Sequence, residues 1–153
     1  MRNIKRLIAF IIVLLALFAV LGVTDVYAAA FSTDIRVLIS TSSKSIDITA
    51  IGDYYLKEDP DFKLDSDKMN ISITGSRPVL TSAGEMFTAS TITFLSRDYE
   101  GTSSYIRLKN SKYGTCTYLG NITFNVSEGR IRAINTLPIE HYLYGVVPYE
   151  MSN

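Results

Sequence analysis

The sequence predicts an α+β fold: a β-rich portion of short antiparallel strands followed by one short helix at 138–147. Three observations carry that expectation. Apolar residues alternate with Ser, Thr and Asn through much of the chain after residue 34, the period of a sheet with one buried face. Glycines and short polar clusters interrupt the alternation where turns are needed. Only after Leu137 does the apolar spacing lengthen to that of a helix.

Ile35-Arg36-Val37-Leu38-Ile39 opens the ordered part, with β-branched residues and no helix cap. Ile46, Ile48 and Ile51 mark a second strand. The stretch from Lys57 to Lys68 is dense in charge, contains Pro60 and reads as an exposed loop. Met69, Ile71 and Ile73 then alternate with Asn70, Ser72 and Thr74 and stop at Gly75. Thr88 to Leu95 reads as one strand, Ser104 to Lys109 as a shorter one and Tyr118 to Val126 as another. Gly129 turns that strand into Arg130 to Ile134. Strands of this length and spacing suggest a twisted antiparallel meander or a small barrel.

Pro138 suits the first position of a helix, where a missing N–H costs nothing. Ile139, Tyr142, Leu143 and Val146 follow at i, i+3, i+4 and i+7, an apolar stripe expected to pin two helical turns to the strands. Gly145 and Pro148 bracket the expected end, which places Glu150 just past the helix terminus. Ser152-Asn153 is a suitable start for another helix, so the domain at 31–153 reads as truncated at its C-terminus.

Ahead of the strands stands an export signal at 1–28. Arg2, Lys5 and Arg6 precede an uncharged run from Leu7 to Val23, and small residues follow in Val26-Tyr27-Ala28-Ala29-Ala30. Cleavage after Ala28 or Ala30 is expected; the alternative is an uncleaved membrane anchor, because the run is close to the length that spans a bilayer. Both place the remainder outside the cytoplasm, in the cell envelope or beyond it. N-terminal sequencing of the exported product should therefore read from Ala29 or Phe31, whereas a retained Met1 would establish the anchor.

The portion from residue 29 carries twelve Lys and Arg against fourteen Asp and Glu, after removal of Arg2, Lys5, Arg6 and Asp25 from the fifteen of each sign. That balance argues against a nucleic-acid partner, which calls for a basic face. Cys116 is the only cysteine, so no disulfide can form within the chain. Asn70, Asn121 and Asn125 stand in N-x-S/T triplets, which arise readily by chance in Ser/Thr-rich strands. His141 is the only histidine and reads as a surface residue on the polar flank of the helix; with Cys116 the only other soft ligand, no metal site is expected. No phosphate loop, nucleophile elbow or cofactor motif is present. Tyr142, Tyr144 and Tyr149 lie close in sequence to Glu150, an arrangement equally suited to a carbohydrate groove and to the edge of a core.

The segment Ile134-Asn135-Thr136-Leu137-Pro138-Ile139-Glu140-His141-Tyr142-Leu143-Tyr144-Gly145-Val146-Val147-Pro148-Tyr149-Glu150-Met151 resembles the signature of the stage II sporulation protein D family, also called amidase enhancers. That signature reads approximately N-x-L-P-[LI]-E-[DE]-Y-L-Y-G-V-V-P-x-E-M. The main departure is His141, where the family more often carries an acid. Ile35 to Ile39 is a weaker match to the family's opening strand. The resemblance implies a peptidoglycan lytic transglycosylase of the bacterial cell wall, or a non-catalytic wall-binding relative that enhances a peptidoglycan amidase. It implies Glu150 as the catalytic acid, with Tyr149 and Tyr144 beside the substrate. Peptidoglycan glycan strands, and a wall amidase or other sporulation wall hydrolases, are the implied partners. It also implies that the domain continues into a helix rich in Ala, Lys, Gln and Arg, and in some relatives to a Cys and His metal site; neither occurs in these residues.

Overall fold

A computed structural model describes residues 33–65, 68–110 and 114–150, with the backbone alone at 110 and 146–150. The export signal expected at 1–28 lies outside the described residues. Eleven strands and one helix follow in chain order: β1 (Asp34–Ser42), β2 (Ser45–Ile51), β3 (Tyr54–Leu56), β4 (Met69–Thr74), β5 (Arg77–Ser82), β6 (Glu85–Thr88), β7 (Thr91–Ser96), β8 (Tyr105–Asn110), β9 (Gly114–Leu119), β10 (Asn121–Ser127), β11 (Arg130–Pro138) and α1 (Ile139–Glu150). The β-rich, antiparallel portion followed by a short helix is as the sequence predicts.

The meander is replaced by two sheets. One holds five strands in the order β1-β11-β10-β7-β3, the other six in the order β6-β5-β4-β2-β8-β9. Every pairing between them is antiparallel. The chain changes sheet repeatedly, so sequence neighbours such as β6 and β7, or β9 and β10, belong to different sheets instead of pairing. Inward side chains from both sheets form that core: Ile46, Ile48, Ile71, Leu80, Ile106 and Leu108 from the six-stranded sheet, Leu56, Ile92, Phe94, Ile122, Phe124 and Ile131 from the five-stranded one. Phe94 and Phe124 meet edge to face, centroids 5.8 Å apart at 81°, an orientation their ring quadrupoles favour.

Several boundaries move for identifiable reasons. In β2 the buried positions are Ile46, Ile48 and Ala50, while Ile51 is only half-buried, because strict alternation carries the even-numbered residues inward. The expected strand Thr88 to Leu95 is two: β6 ends at Thr88 and β7 begins at Thr91 in the other sheet. The described part of the charged segment, 57–65, is a loop as expected, yet Phe62 and Leu64 pack against the core. Ser82 fixes it there, its hydroxyl donating to the Lys63 carbonyl at 3.1 Å and accepting from the Asp65 N–H at 2.7 Å.

The expected strand Tyr118 to Val126 also divides, at Gly120, where the chain passes from β9 in one sheet to β10 in the other. Gly120 has φ +78°, and a Cβ there would stand 2.5 Å from the Thr136 carbonyl oxygen. Three side-chain bonds hold the crossing. The buried Asn135 donates through Nδ2 to the carbonyls of Leu119 at 2.8 Å and Asn121 at 3.0 Å, and the Tyr54 hydroxyl donates to Gly120 O at 3.0 Å. Asn135 thus gives both of its amide hydrogens to carbonyls that flank the crossing.

Burial, with a further push from the Asp98 charge and against a hydrogen bond with Ser96, raises the Tyr54 phenol to about 12. Burial and then the neighbouring Cys116 raise Tyr118 to about 12 as well. In both cases the folded state holds its proton more tightly than the unfolded chain. Stability is therefore complete below pH 10 and declines as pH rises from 10 towards 12. Thermal melting across pH 8–12 should show that decline, and Tyr54→Phe should flatten it. A melting temperature constant to pH 12 would contradict the burial of these phenols.

Candidate functional site

The last residues of β11 lead directly into α1. Pro138 closes the strand, paired with Asp34, so it is the residue before the helix and not its first turn. The Ile139 N–H donates to the Thr33 carbonyl at 2.8 Å, so the chain entering β1 caps the helix. At its other end the helix does not stop near 147 but continues through Pro148 to Glu150. Pro148 has no N–H to give the Tyr144 carbonyl, so this turn carries one bond fewer than a regular one. Glu150 accordingly stands on the helix and not beyond it.

Of the expected apolar stripe Ile139, Tyr142, Leu143 and Val146, Tyr142 faces the sheets while Ile139 and Leu143 do not, and the Val146 side chain lies outside the described residues. Ile139 is 40% exposed and Leu143 48% exposed, and Tyr144 projects further, at 80%. The side facing the sheets is instead His141, Tyr142 and Gly145. The reason is topological: α1 stands at the end of the sheets, against β1 and β11, and can be covered on one side only. Between the helix and the body runs a cleft of about 330 Å³, floored by Val37 and Ile39 of β1 and Leu137 of β11, and walled by Tyr118 and Leu119 of β9 and Tyr142 of α1. Asn135, which holds the Gly120 crossing, also reaches this cleft.

Helical periodicity places the expected site residues. Glu150 follows Ile139 by eleven residues and Leu143 by seven, so its position falls within about 20° of each around the axis. That is the helix side of Ile139 and Leu143; the Glu150 side chain itself lies outside the described residues. Tyr149 follows Tyr142 by seven residues, a separation of about 20° around the helix axis. Tyr144 is solvent-exposed, and its position lies roughly 120° from that of Glu150 around the helix.

His141 departs from its surface reading: it is half-buried, and its Nδ1 is enclosed without a hydrogen-bond partner. On its other side is a second, smaller cleft shared with Asp34, Tyr99, Glu100 and Glu140. Burial first, then the Asp34 and Glu100 carboxylates, push the Tyr99 phenol well above its ordinary range. Sequence reasoning could not see this grouping, because Asp34, Tyr99 and His141 come from three distant segments. Among the described residues no group of three or more His, Cys, Asp or Glu side chains is arranged to hold a metal ion. No described helix is long and apolar enough to cross a membrane.

Of the three N-x-S/T asparagines, two are engaged in the fold. Asn70 Nδ2 donates to Asp47 at 2.7 Å, and Asn121 Oδ1 accepts from the Ser96 N–H at 2.9 Å. Asn125 Oδ1 is buried and unpartnered.

No protein-family model, curated protein or solved structure matches this chain.

Proposed function

We propose that this chain is part of an exported peptidoglycan lytic transglycosylase, with Glu150 as its single acid and base. The observation that carries the proposal is the ungapped resemblance over residues 134–151, which contains Glu150. The fold adds support of a general kind. A sheet end, a helix and a cleft meet at this segment, and the helix runs to Glu150.

Cleaving a glycosidic bond needs a proton on the departing oxygen, delivered by a carboxylic acid kept protonated in partly apolar surroundings. Hydrolases add a second carboxylate to activate water or attack the sugar. A transglycosylase instead uses the C6 hydroxyl of the muramic residue: its oxygen bonds to C1 as the glycosidic bond breaks. The leaving oxygen takes the proton from Glu150, and the resulting carboxylate accepts the proton lost by the C6 hydroxyl. The product is a 1,6-anhydro end, no water is consumed, and one carboxyl group suffices.

The exposed Ile139 and Leu143 of α1 support a second reading, a non-catalytic wall module that docks on an amidase. An apolar helix side left open to water is what a partner-binding surface presents. Incubating the full-length protein with purified peptidoglycan, alone and with a wall amidase, separates the two. New glycan-chain ends without the amidase support the enzyme; faster release of stem peptides, seen only with the amidase, supports the enhancer.

A further inference from the structure

At the end of the five-stranded sheet away from α1, three adjacent strands bring polar side chains to one outward face. Arg130 and Arg132 stand two residues apart on β11, hence on the same side and roughly 6.5–7 Å apart along the strand. Thr41 of β1 lies opposite Arg132, and Ser127 of β10 lies opposite Arg130. With Glu128 they enclose a cleft of about 250 Å³. Arg130 Nη2 donates to Thr41 Oγ1 at 3.2 Å. Among the described residues Arg132 has neither a hydrogen bond nor an ion pair, and the salt bridge found lies elsewhere, between Arg97 and Asp53.

We propose that Arg130 and Arg132, with the hydroxyls of Thr41 and Ser127, form a binding site for a phosphate group. Two guanidinium forks and two hydroxyls supply more donors than the two oxygens of a carboxylate can accept, and they approach from three strands, which suits a tetrahedral oxyanion. The small cleft admits one such group and leaves its substituents outside, so a free phosphate ion and a phosphodiester in an anionic polymer present the same chemistry. Glu128 is the opposing charge. It sits on the Glu128-Gly129 turn with φ 54°, and it leaves the cleft with a net charge of one positive unit. The site is independent of any chemistry at Glu150.

The test is a ¹⁵N–¹H correlation titration of the full-length protein at about 0.1 M NaCl, where long-range charge effects are screened, with inorganic phosphate, a glycerol-phosphate oligomer and acetate. The proposal predicts saturable shifts confined to residues 41 and 127–132, with acetate much weaker than phosphate. Arg132→Gln should weaken phosphate binding about fivefold, as expected for one charge-assisted contact at a partly exposed site. Glu128→Gln, an exposed turn substitution that leaves the sheet intact, should tighten it about twofold, by removing one repulsive charge. An oligomer bound more tightly than the ion supports the site and identifies a polymer as its source; equal affinities support the site and identify the free ion. Unlocalised shifts, acetate binding equal to phosphate, or affinities unchanged in both variants would overturn it.

Discussion

Gly120→Ala should lower the melting temperature by roughly 10–20 °C, the loss expected for about 3–5 kcal/mol in a domain of this size. Two costs combine at this position. At φ +78° any L side chain pays the left-handed penalty, roughly 1–2 kcal/mol. In addition, the new Cβ would stand 2.5 Å from the Thr136 carbonyl oxygen and 2.9 Å from Leu137 Cβ. Neither neighbour can give way cheaply, because Thr136 is held in β11 between β1 and β10, and Leu137 is buried. Relief must come from shifting the crossing, which also loosens the bonds from Asn135 and Tyr54. Gly84→Ala is the control: its φ is +85°, but nothing lies within 4 Å of the new Cβ. That variant should lose only about 1–2 kcal/mol, the conformational term alone. Similar melting curves for the two would show that close approach at the crossing contributes nothing.

Glu150→Gln in the full-length protein should leave folding and glycan binding intact and reduce turnover by about 10²–10⁴-fold, the contribution of general acid–base assistance. The amide keeps the shape of the acid but cannot give up the proton that the departing oxygen needs. Glu150→Asp should recover part of the loss by retaining the acid on a shorter arm. Tyr144→Phe should change little, since the Tyr144 ring is exposed and lies well round the helix from Glu150. A Gln variant with the parent's turnover would remove Glu150 from the chemistry.

The sequence exposed strands wherever one face is buried and the other wet, as in β4 and β10, where period two is uninterrupted. It concealed β3, a three-residue strand, and β5, where Pro78, Val79 and Leu80 are all buried and no alternation remains. It also concealed the crossings. Nothing local distinguishes Gly120 from a glycine inside one strand, because the Thr136 carbonyl that requires it comes from a distant segment. The helix was legible, but its orientation was not. An apolar stripe announces that a face is to be covered without saying by what, and here the described body covers the side of His141, Tyr142 and Gly145 instead. The phosphate cleft was hidden for the same reason: Thr41, Ser127 and Arg132 become neighbours only through the β1-β11-β10 pairing.

The proposal stands most directly on the chemistry of the cut end. Purified peptidoglycan should be digested with the full-length protein and the released fragments weighed by mass spectrometry. A transglycosylase leaves 1,6-anhydro-N-acetylmuramic ends, one water lighter than the reducing ends left by a hydrolase, and the Glu150→Gln protein should leave almost none. Reducing ends, or anhydro ends formed equally by the Gln variant, would contradict a single acid and base at Glu150.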